Sequence, residues 1–148
     1  MISPELLRHY PFFAGLTDAQ QRLIASVAEE KDFPGGATIF EEGQAANAFY
    51  FLLSGSLDLY FSIRGGEIHV GGINPGEPFS ISALIPPHIL SHTARTASAC
   101  RAILINAAAL RAMCDADCKM GHVVMRGVAS AAMERLHFTR VQLAAERA

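Results

Sequence analysis

The chain has 148 residues, of which 51% are hydrophobic and 18% charged, so it is long and apolar enough for one packed core and is not a disordered chain. Its formal net charge of -2 at pH 7 argues against a nucleic-acid-binding domain, which typically carries a basic surface. The N-terminal segment lacks the basic and apolar regions of a signal peptide, and no apolar run is long enough to span a membrane. We therefore expect a cytoplasmic, single-domain protein.

Residues 1–32 are predicted to be helical. A short helix is expected at residues 4–9, and the aromatic segment at residues 11–16 links it to the next helix. Thr17 and Gln20 have the spacing of a capping box, which marks the start of that second helix. Leu23, Ile24, Val27 and Ala28 then follow at helical spacing. This region therefore precedes the main β-structure.

Residues 33–106 are predicted to form an antiparallel β jelly roll. From Leu57 to Ile63 every second residue is apolar, as in a strand with one buried face. Gly65 and Gly66 then mark a hairpin turn, after which the chain returns through Ile68. Short strands separated by glycine turns are typical of a small antiparallel barrel or jelly roll.

Residues 107–148 are predicted to form a short helix at 107–113 and a long one from about 119 to 147. At 3.6 residues per turn, the apolar residues of the long helix fall into two stripes about 130° apart. A helix on a single barrel needs one stripe, so we expect the second to form a homodimer; the alternative is deep packing into its own barrel. The first stripe contains Val124, Val128, Ala131 and Phe138, and the dimer stripe contains Met125, Ala129, Ala132, Leu136 and Leu143.

The three cysteines, Cys100, Cys114 and Cys118, do not indicate a metal site. They include no C-x-x-C pair, and their odd number suits a reducing compartment. Cys114 and Cys118 are four residues apart, but two thiolates alone do not complete a tetrahedral zinc site. We therefore expect no bound metal and treat the cysteines as ordinary thiols.

The histidines do not indicate an enzyme. Metal-dependent oxygenases of the cupin type need a His-x-His pair, whereas His88 and His92 are four residues apart. No nucleophile motif accompanies them. We therefore predict that the protein is not an enzyme. A haem sensor is a further alternative, with His69 or His92, or one of the cysteines, as an axial ligand.

Five motifs follow one another along nearly the whole chain. They are FFAGL at residues 12–16, FEEG at 40–43, FYFLLSG at 49–55, PGEPF at 75–79 and RLHFTRVQL at 135–143. Together they resemble the cyclic nucleotide-binding domain of catabolite-activator-type regulators, in a stand-alone form. The resemblance implies a jelly roll, a short helix that holds a cyclic phosphate, and a C-terminal helix that dimerises. The DNA-binding module of the family's transcription factors does not follow, so we expect no DNA binding by this chain alone.

The phosphate-binding cassette of the family is altered in this sequence. The resemblance implies Phe-Gly-Glu after the Pro-Gly-Glu turn, whereas this chain has Phe79, Ser80 and Ile81, so the ribose-binding glutamate is missing. The position of the family's phosphate-binding arginine falls near Thr93. A charged hydrogen bond contributes roughly 1.5 to 3 kcal/mol, so losing two would weaken cyclic nucleotide binding by about two to four orders of magnitude.

Arg95 is the candidate replacement for the missing arginine. It lies two residues after Thr93, so both side chains share one face of a strand. If that face points into the pocket, Arg95 and nearby amides and hydroxyls would hold an anion; otherwise it is a surface arginine. His88 and His92 would face the same pocket or solvent. The candidate ligand-binding residues are Phe79, Ser80, Ile81, Ser82, Ala83, Thr93 and Arg95.

These features predict a ligand-sensing regulatory domain that signals through a partner protein. The resemblance implies cyclic AMP or cyclic GMP as its small anionic ligand. Ile81, where the family has a carboxylate, also suits a pocket that is filled by side chains or holds a less polar ligand. The alternative is therefore a degenerate module that binds no nucleotide and serves only in dimerisation and protein interaction.

Overall fold

The computed structural model describes residues 1–148 as two antiparallel sheets flanked by helices. The helices are α1 (Pro4–Arg8), α2 (Pro11–Ala14), α3 (Asp18–Ser26), a 3-10 helix (Ile81–Leu84), α4 (Ala107–Ala116) and α5 (Cys118–Arg147). The strands are β1 (Ala28–Phe33), β2 (Thr38–Phe40), β3 (Ala48–Ser54), β4 (Leu57–Ile63), β5 (Gly66–Ile73), β6 (Pro78–Phe79), β7 (Thr93–Thr96) and β8 (Cys100–Asn106).

Each sheet has four strands. One has the order β1-β8-β3-β6 and the other the order β2-β7-β4-β5. Inward-facing side chains of both sheets form the core, and Phe49, Leu57 and Ile103 among them are almost completely buried. This arrangement confirms the predicted fold class, an antiparallel β jelly roll with flanking helices.

The predicted hairpin is formed by β4 and β5, which pair from Leu57 to Ile63. Leu57 and Leu59 are buried as expected, whereas Phe61 and Ile63 are exposed. β4 pairs with β7 only as far as Tyr60, so the hairpin extends beyond the neighbouring strand. The alternation therefore predicts the strand correctly, but the tip of the hairpin has no core to face.

Strand β1 is the main difference from the expected fold. Helix α3 ends at Ser26, and residues 28–32, which the sequence assigns to a helix, belong to a strand that pairs with β8. The charged residues Glu29 to Asp32 are exposed, as is common in an edge strand. Such a segment lacks apolar alternation, so its pattern does not indicate a strand. Part of the aromatic link at residues 11–16 is likewise helical, as α2.

The predicted capping box begins α3 and also connects it to α5. The Gln20 N–H donates to Thr17 Oγ1 at 3.2 Å, and the Thr17 N–H donates to Gln20 Oε1 at 2.8 Å. Gln20 Nε2 donates to Asp117 Oδ2 at 2.9 Å. Asp117 is the N-cap of α5, since its other oxygen accepts from the N–H groups of Lys119 and Met120. One local motif therefore positions the start of the long helix.

Helix α5 packs on the jelly roll mainly through its N-terminal half. Val124 and Val128 of the first stripe are buried, and Gly127 lies so close to Phe12 that no larger residue would fit without movement. Phe138 of the same stripe is 42% exposed. All residues of the second stripe are exposed. No helix in the structure combines the length and the apolar composition that a bilayer-spanning segment requires.

Candidate functional site

The segment Phe79–Leu84, called the cassette here, turns sharply beside the core. Phe79 is fully buried and stacks on Tyr50, with 5.0 Å between ring centroids. Ser80 adopts the left-handed conformation, with φ 58° and ψ 42°. A glycine, which the family resemblance implies here, would adopt it without strain. Ser80 Oγ donates to Ala48 O at 2.5 Å and so offsets part of this strain.

A narrow cleft lies between the cassette and α5, and its apolar side is filled by side chains. Phe40, Leu59, Ile81 and Leu90 line this side. The cleft has a volume of about 10 Å³, which is room for about one water molecule. Ile81 thus occupies space where the family resemblance implies a ribose-binding carboxylate.

The polar side of this cassette cleft contains hydroxyls, an imidazole and a guanidinium. Ser82 Oγ lies 3.4 Å from Ser91 Oγ, which lies 3.0 Å from His92 Nδ1. Arg135 reaches the cleft from α5 and donates through Nη2 to Pro78 O at 2.5 Å. The side chains around the cleft therefore provide several hydrogen-bond donors and one permanent positive charge.

The Arg135 side chain is half-buried at the cleft. Burial lowers the pKa of Arg135, and the nearby carboxylates of Glu77 and Glu134 raise it. None of the ion pairs of the protein includes Arg135. Glu77 and Glu134 lie near enough to act on the charge of Arg135 but form no direct ion pair with it, so the hydration that its guanidinium loses is only partly compensated. Arg135 is therefore the side chain of the cleft that is best placed to hold an anion.

The predicted site residues divide into two groups. Ser80, Ile81 and Ser82 line the cleft, with Phe79 and Ala83 buried behind them. Thr93 and Arg95 do not line it. The structure therefore brings the cassette residues together and leaves the two β7 residues apart from them.

Arg95 lies on the outer face of the sheet. It is opposite Asp58 of β4, and its Nη1 forms an ion pair with Glu67 Oε1 at 2.8 Å. Its guanidinium also lies 4.9 Å from the centroid of the Tyr60 ring. Thr93 shares this face, opposite Tyr60, and its Oγ1 accepts from the Glu42 N–H at 3.0 Å. Arg95 thus already has an acidic partner, unlike Arg135.

Arg135 was not among the predicted site residues, although the sequence contains a signal for it. It follows Val124, Val128 and Ala131 at the spacing that keeps residues on one helix face. A charged residue within the stripe that faces the barrel requires a partner or a function. The apolar residues of the stripe predict which face of α5 lies on the barrel. Arg135 is the charged residue that interrupts this face, and it is therefore the sequence signal for the cleft.

His92 makes the stability of the fold depend on pH. Burial and the charge of Arg135 lower its pKa from the usual 6.5, against a smaller opposing effect of Glu42. Below pH 6.5 the unfolded chain therefore binds a proton more readily than the folded chain, and stability falls as the pH falls.

We expect His92→Gln to lose less unfolding free energy than the wild type between pH 7 and pH 5 in urea titrations. The exposed His137→Gln is the control, and equal losses in all three proteins would contradict this assignment.

Known proteins share the sequence family and the fold of this chain. The family model described as the cyclic nucleotide-binding domain matches residues 30–117. A structure from Geobacter metallireducens GS-15, described as a cyclic nucleotide-binding protein, superposes with a TM-score of 0.85. The two sequences are 42% identical, and the match covers 93% of this chain and 100% of the other. The catabolite activator protein of Thermus thermophilus shares the fold, with a TM-score of 0.71, 23% identity and coverage of 93% and 63% of the two chains.

Part of the chain is also similar in sequence to a regulatory subunit of a protein kinase. The cAMP-dependent protein kinase regulatory subunit of Colletotrichum orbiculare is 33% identical over 81 residues. The match covers 55% of this chain but only 20% of the relative, so this chain corresponds to about a fifth of that protein. The family model covers more than half of the chain and includes the cassette. The chain therefore belongs to the cyclic nucleotide-binding domain family, as its sequence motifs indicate.

Proposed function

We propose that this chain is a ligand-sensing regulatory domain and that Arg135, rather than an arginine of the cassette, holds its small anionic ligand. The observation that carries this proposal is the half-buried guanidinium of Arg135, which lines the cassette cleft and has no ion-pair partner. Its one hydrogen bond, to Pro78 O, leaves most of its five N–H donors for a ligand. Ser82 and Ser91 add hydroxyls beside it.

A cyclic phosphate suits this group of side chains. It carries one negative charge with two free oxygens, which a planar guanidinium can bind through parallel hydrogen bonds. The resemblance to a cAMP-dependent kinase subunit makes cyclic AMP the first candidate, and cyclic GMP carries the same phosphate. The missing ribose-binding carboxylate at Ile81 predicts weaker binding than the family resemblance implies.

A neighbouring cavity supplies the space that the cleft lacks. It has a volume of about 360 Å³ and lies between β5 and α5, with Arg135 in its wall as well as in the wall of the cleft. Phe138 and Val141 of α5 and Val70 and Ile73 of β5 form its apolar part, and the carboxylates of Glu77 and Glu134 also line it. We propose that the larger part of the ligand occupies this cavity while its phosphate binds Arg135. Because α5 would then touch the ligand directly, we propose that the ligand binds one position of α5 more tightly and so shifts the helix toward it.

The exposed stripe of α5 would pass this change on. Leu136 and Leu143 are 49% and 50% exposed, and both belong to the stripe predicted to form a homodimer. Leu136 is also the neighbour of Arg135 in the sequence. We propose that α5 dimerises through this stripe and that a partner protein recognises the resulting arrangement of helices.

A degenerate module is the second candidate function. The observation that favours it is the volume of the cassette cleft, about 10 Å³, with Ile81 filling space beside the cassette. In this alternative the bond from Arg135 to Pro78 O is structural, and the domain serves only in dimerisation and protein interaction.

A thermal-shift titration distinguishes the two functions. A ligand at a hundred times its dissociation constant adds about 2.7 kcal/mol of stability, which corresponds to several degrees in Tm for a chain of this size. We expect cyclic AMP or cyclic GMP at millimolar concentration to raise Tm, and adenosine, which lacks the phosphate, to raise it much less. If neither nucleotide raises Tm, the proposed cyclic nucleotide ligand is wrong, and the result favours the module that binds no nucleotide.

A further inference from the structure

A second cavity lies where α4 meets α5, next to the end of the cassette. It has a volume of about 590 Å³, within the range of cavities that hold organic ligands. None of the residues that line it belongs to the cassette cleft. The cavity, called the α4–α5 cavity here, is therefore separate from the site described above.

One guanidinium and two imidazoles outnumber the single carboxylate in the polar part of the α4–α5 cavity. Arg111, His88 and His122 line it together with one carboxylate, that of Asp115. Arg111 is half-buried, and none of the ion pairs of the protein includes it. Its Nη1 donates to Ala83 O at 2.7 Å, which leaves further N–H donors free. These groups favour an anion.

The remainder of the cavity favours a ligand with an apolar body. Leu84, Pro86 and Met125 supply the apolar part of its wall. Cys114 and Cys118 also line it, but the structure has no group of three or more histidine, cysteine or acidic side chains that could hold a metal ion. The lining thus suits a molecule with one charged end and one compact apolar end rather than a metal ion.

The rim of the cavity contains an unusual backbone conformation. His88 has a positive φ of 61°, which is rare for a residue with a side chain and is often found at functional sites. The surrounding structure holds it in place, because the His88 N–H donates to Ile85 O at 2.9 Å and its carbonyl accepts from the Ala46 N–H at 2.8 Å. The chain therefore keeps this imidazole at the cavity in spite of the local strain.

We propose that the α4–α5 cavity binds a small organic anion, with its carboxylate or phosphate on Arg111 and its apolar body against Leu84 and Pro86. The binding does not depend on a ligand in the cassette cleft. Arg111 also holds the carbonyl of Ala83 within the cassette, so a ligand on Arg111 would act on the cassette directly. Any resulting coupling between the two sites must be reciprocal.

Nuclear magnetic resonance titration of the ¹⁵N-labelled protein tests this proposal. The probes are benzoate and phenyl phosphate, which distinguish a carboxylate from a phosphate ligand, and benzamide, which has a similar shape without the charge. We expect at least one of the two anions to cause saturable shifts at the amides of Ala83, Gly121 and Met125, and benzamide to cause none. If neither anion causes saturable shifts at these residues, or if benzamide binds equally well, the proposal is wrong.

Three variants identify the groups responsible. Arg111→Gln is expected to weaken binding of the effective anion about tenfold or more. Arg126 is an exposed residue of α5 that does not line the cavity, so Arg126→Gln should leave binding of the anion unchanged. If Arg111→Gln binds the anion as tightly as the wild type, the proposal is overturned. If Arg111→Gln does not fold, His122→Gln decides the question: weaker binding supports the proposal, and unchanged binding overturns it.

Discussion

Replacement of Gly55 by alanine is expected to destabilise the fold by roughly 3 to 5 kcal/mol, a large part of the stability of a typical domain. Gly55 joins β3 to β4 with φ at 87°, a conformation that strains any residue with a side chain. An added Cβ would also lie 2.8 Å from Cys100 Sγ and 3.0 Å from Cys100 Cα, and closer still to Ala99 O. The clash involves backbone atoms of the start of β8, which move only if the strand moves.

Gly65→Ala is the matched control for this change. Gly65 has nearly the same backbone conformation, with φ at 90°, but nothing lies within 4 Å of the position of its Cβ. We expect it to cost only about 1 kcal/mol, the strain of the left-handed conformation. Urea unfolding of both variants and the wild type measures the difference. Equal destabilisation by the two substitutions would show that the close approach of β8 does not exclude a side chain at position 55.

Phe51→Ala is expected to destabilise the fold by roughly 3 to 5 kcal/mol, because it removes a large side chain from the centre of the core. Phe51 is completely buried. Its ring centroid lies 4.8 Å from that of Tyr10 and 5.0 Å from that of Phe13, so it connects the sheet to the N-terminal helices. The substitution would leave a cavity and loosen α1 and α2 together.

Phe61→Ala controls for the loss of an aromatic side chain from a strand. Phe61 lies at the tip of the hairpin and is 43% exposed, so we expect it to cost about 1 kcal/mol or less. Unfolding free energies from urea titrations of both variants provide the comparison. If Phe51→Ala cost no more than Phe61→Ala, the described packing of the N-terminal helices on β3 would be incorrect.

The elements that the sequence predicts correctly are those set by local patterns. The capping box of Thr17 and Gln20 forms as predicted, and the hairpin at Gly65 and Gly66 joins strands that pair as expected. In both cases the residues themselves determine the backbone conformation. Long apolar stripes, as on α5, likewise indicate a helix without tertiary information.

The features that the sequence does not predict depend on contacts between distant segments. β1 is a strand because its backbone pairs with β8, and its exposed charged side chains give no sign of this pairing. Arg135 is part of the cleft because α5 crosses the cassette more than fifty residues further along the chain. Whether Arg95 faces the pocket likewise depends on the pairing of β7 with β4, which sequence spacing alone does not define.

Isothermal titration calorimetry with cyclic AMP tests the central claim that Arg135 holds the ligand. The comparison is between the wild type, Arg135→Gln and Arg95→Gln, each first shown to be folded by its thermal transition. We predict that Arg135→Gln weakens binding about tenfold or more, since it removes a charged hydrogen-bonding group, while Arg95→Gln stays close to the wild type. Loss of binding in Arg95→Gln with normal binding in Arg135→Gln, or no binding by the wild type at millimolar concentration, would contradict this account.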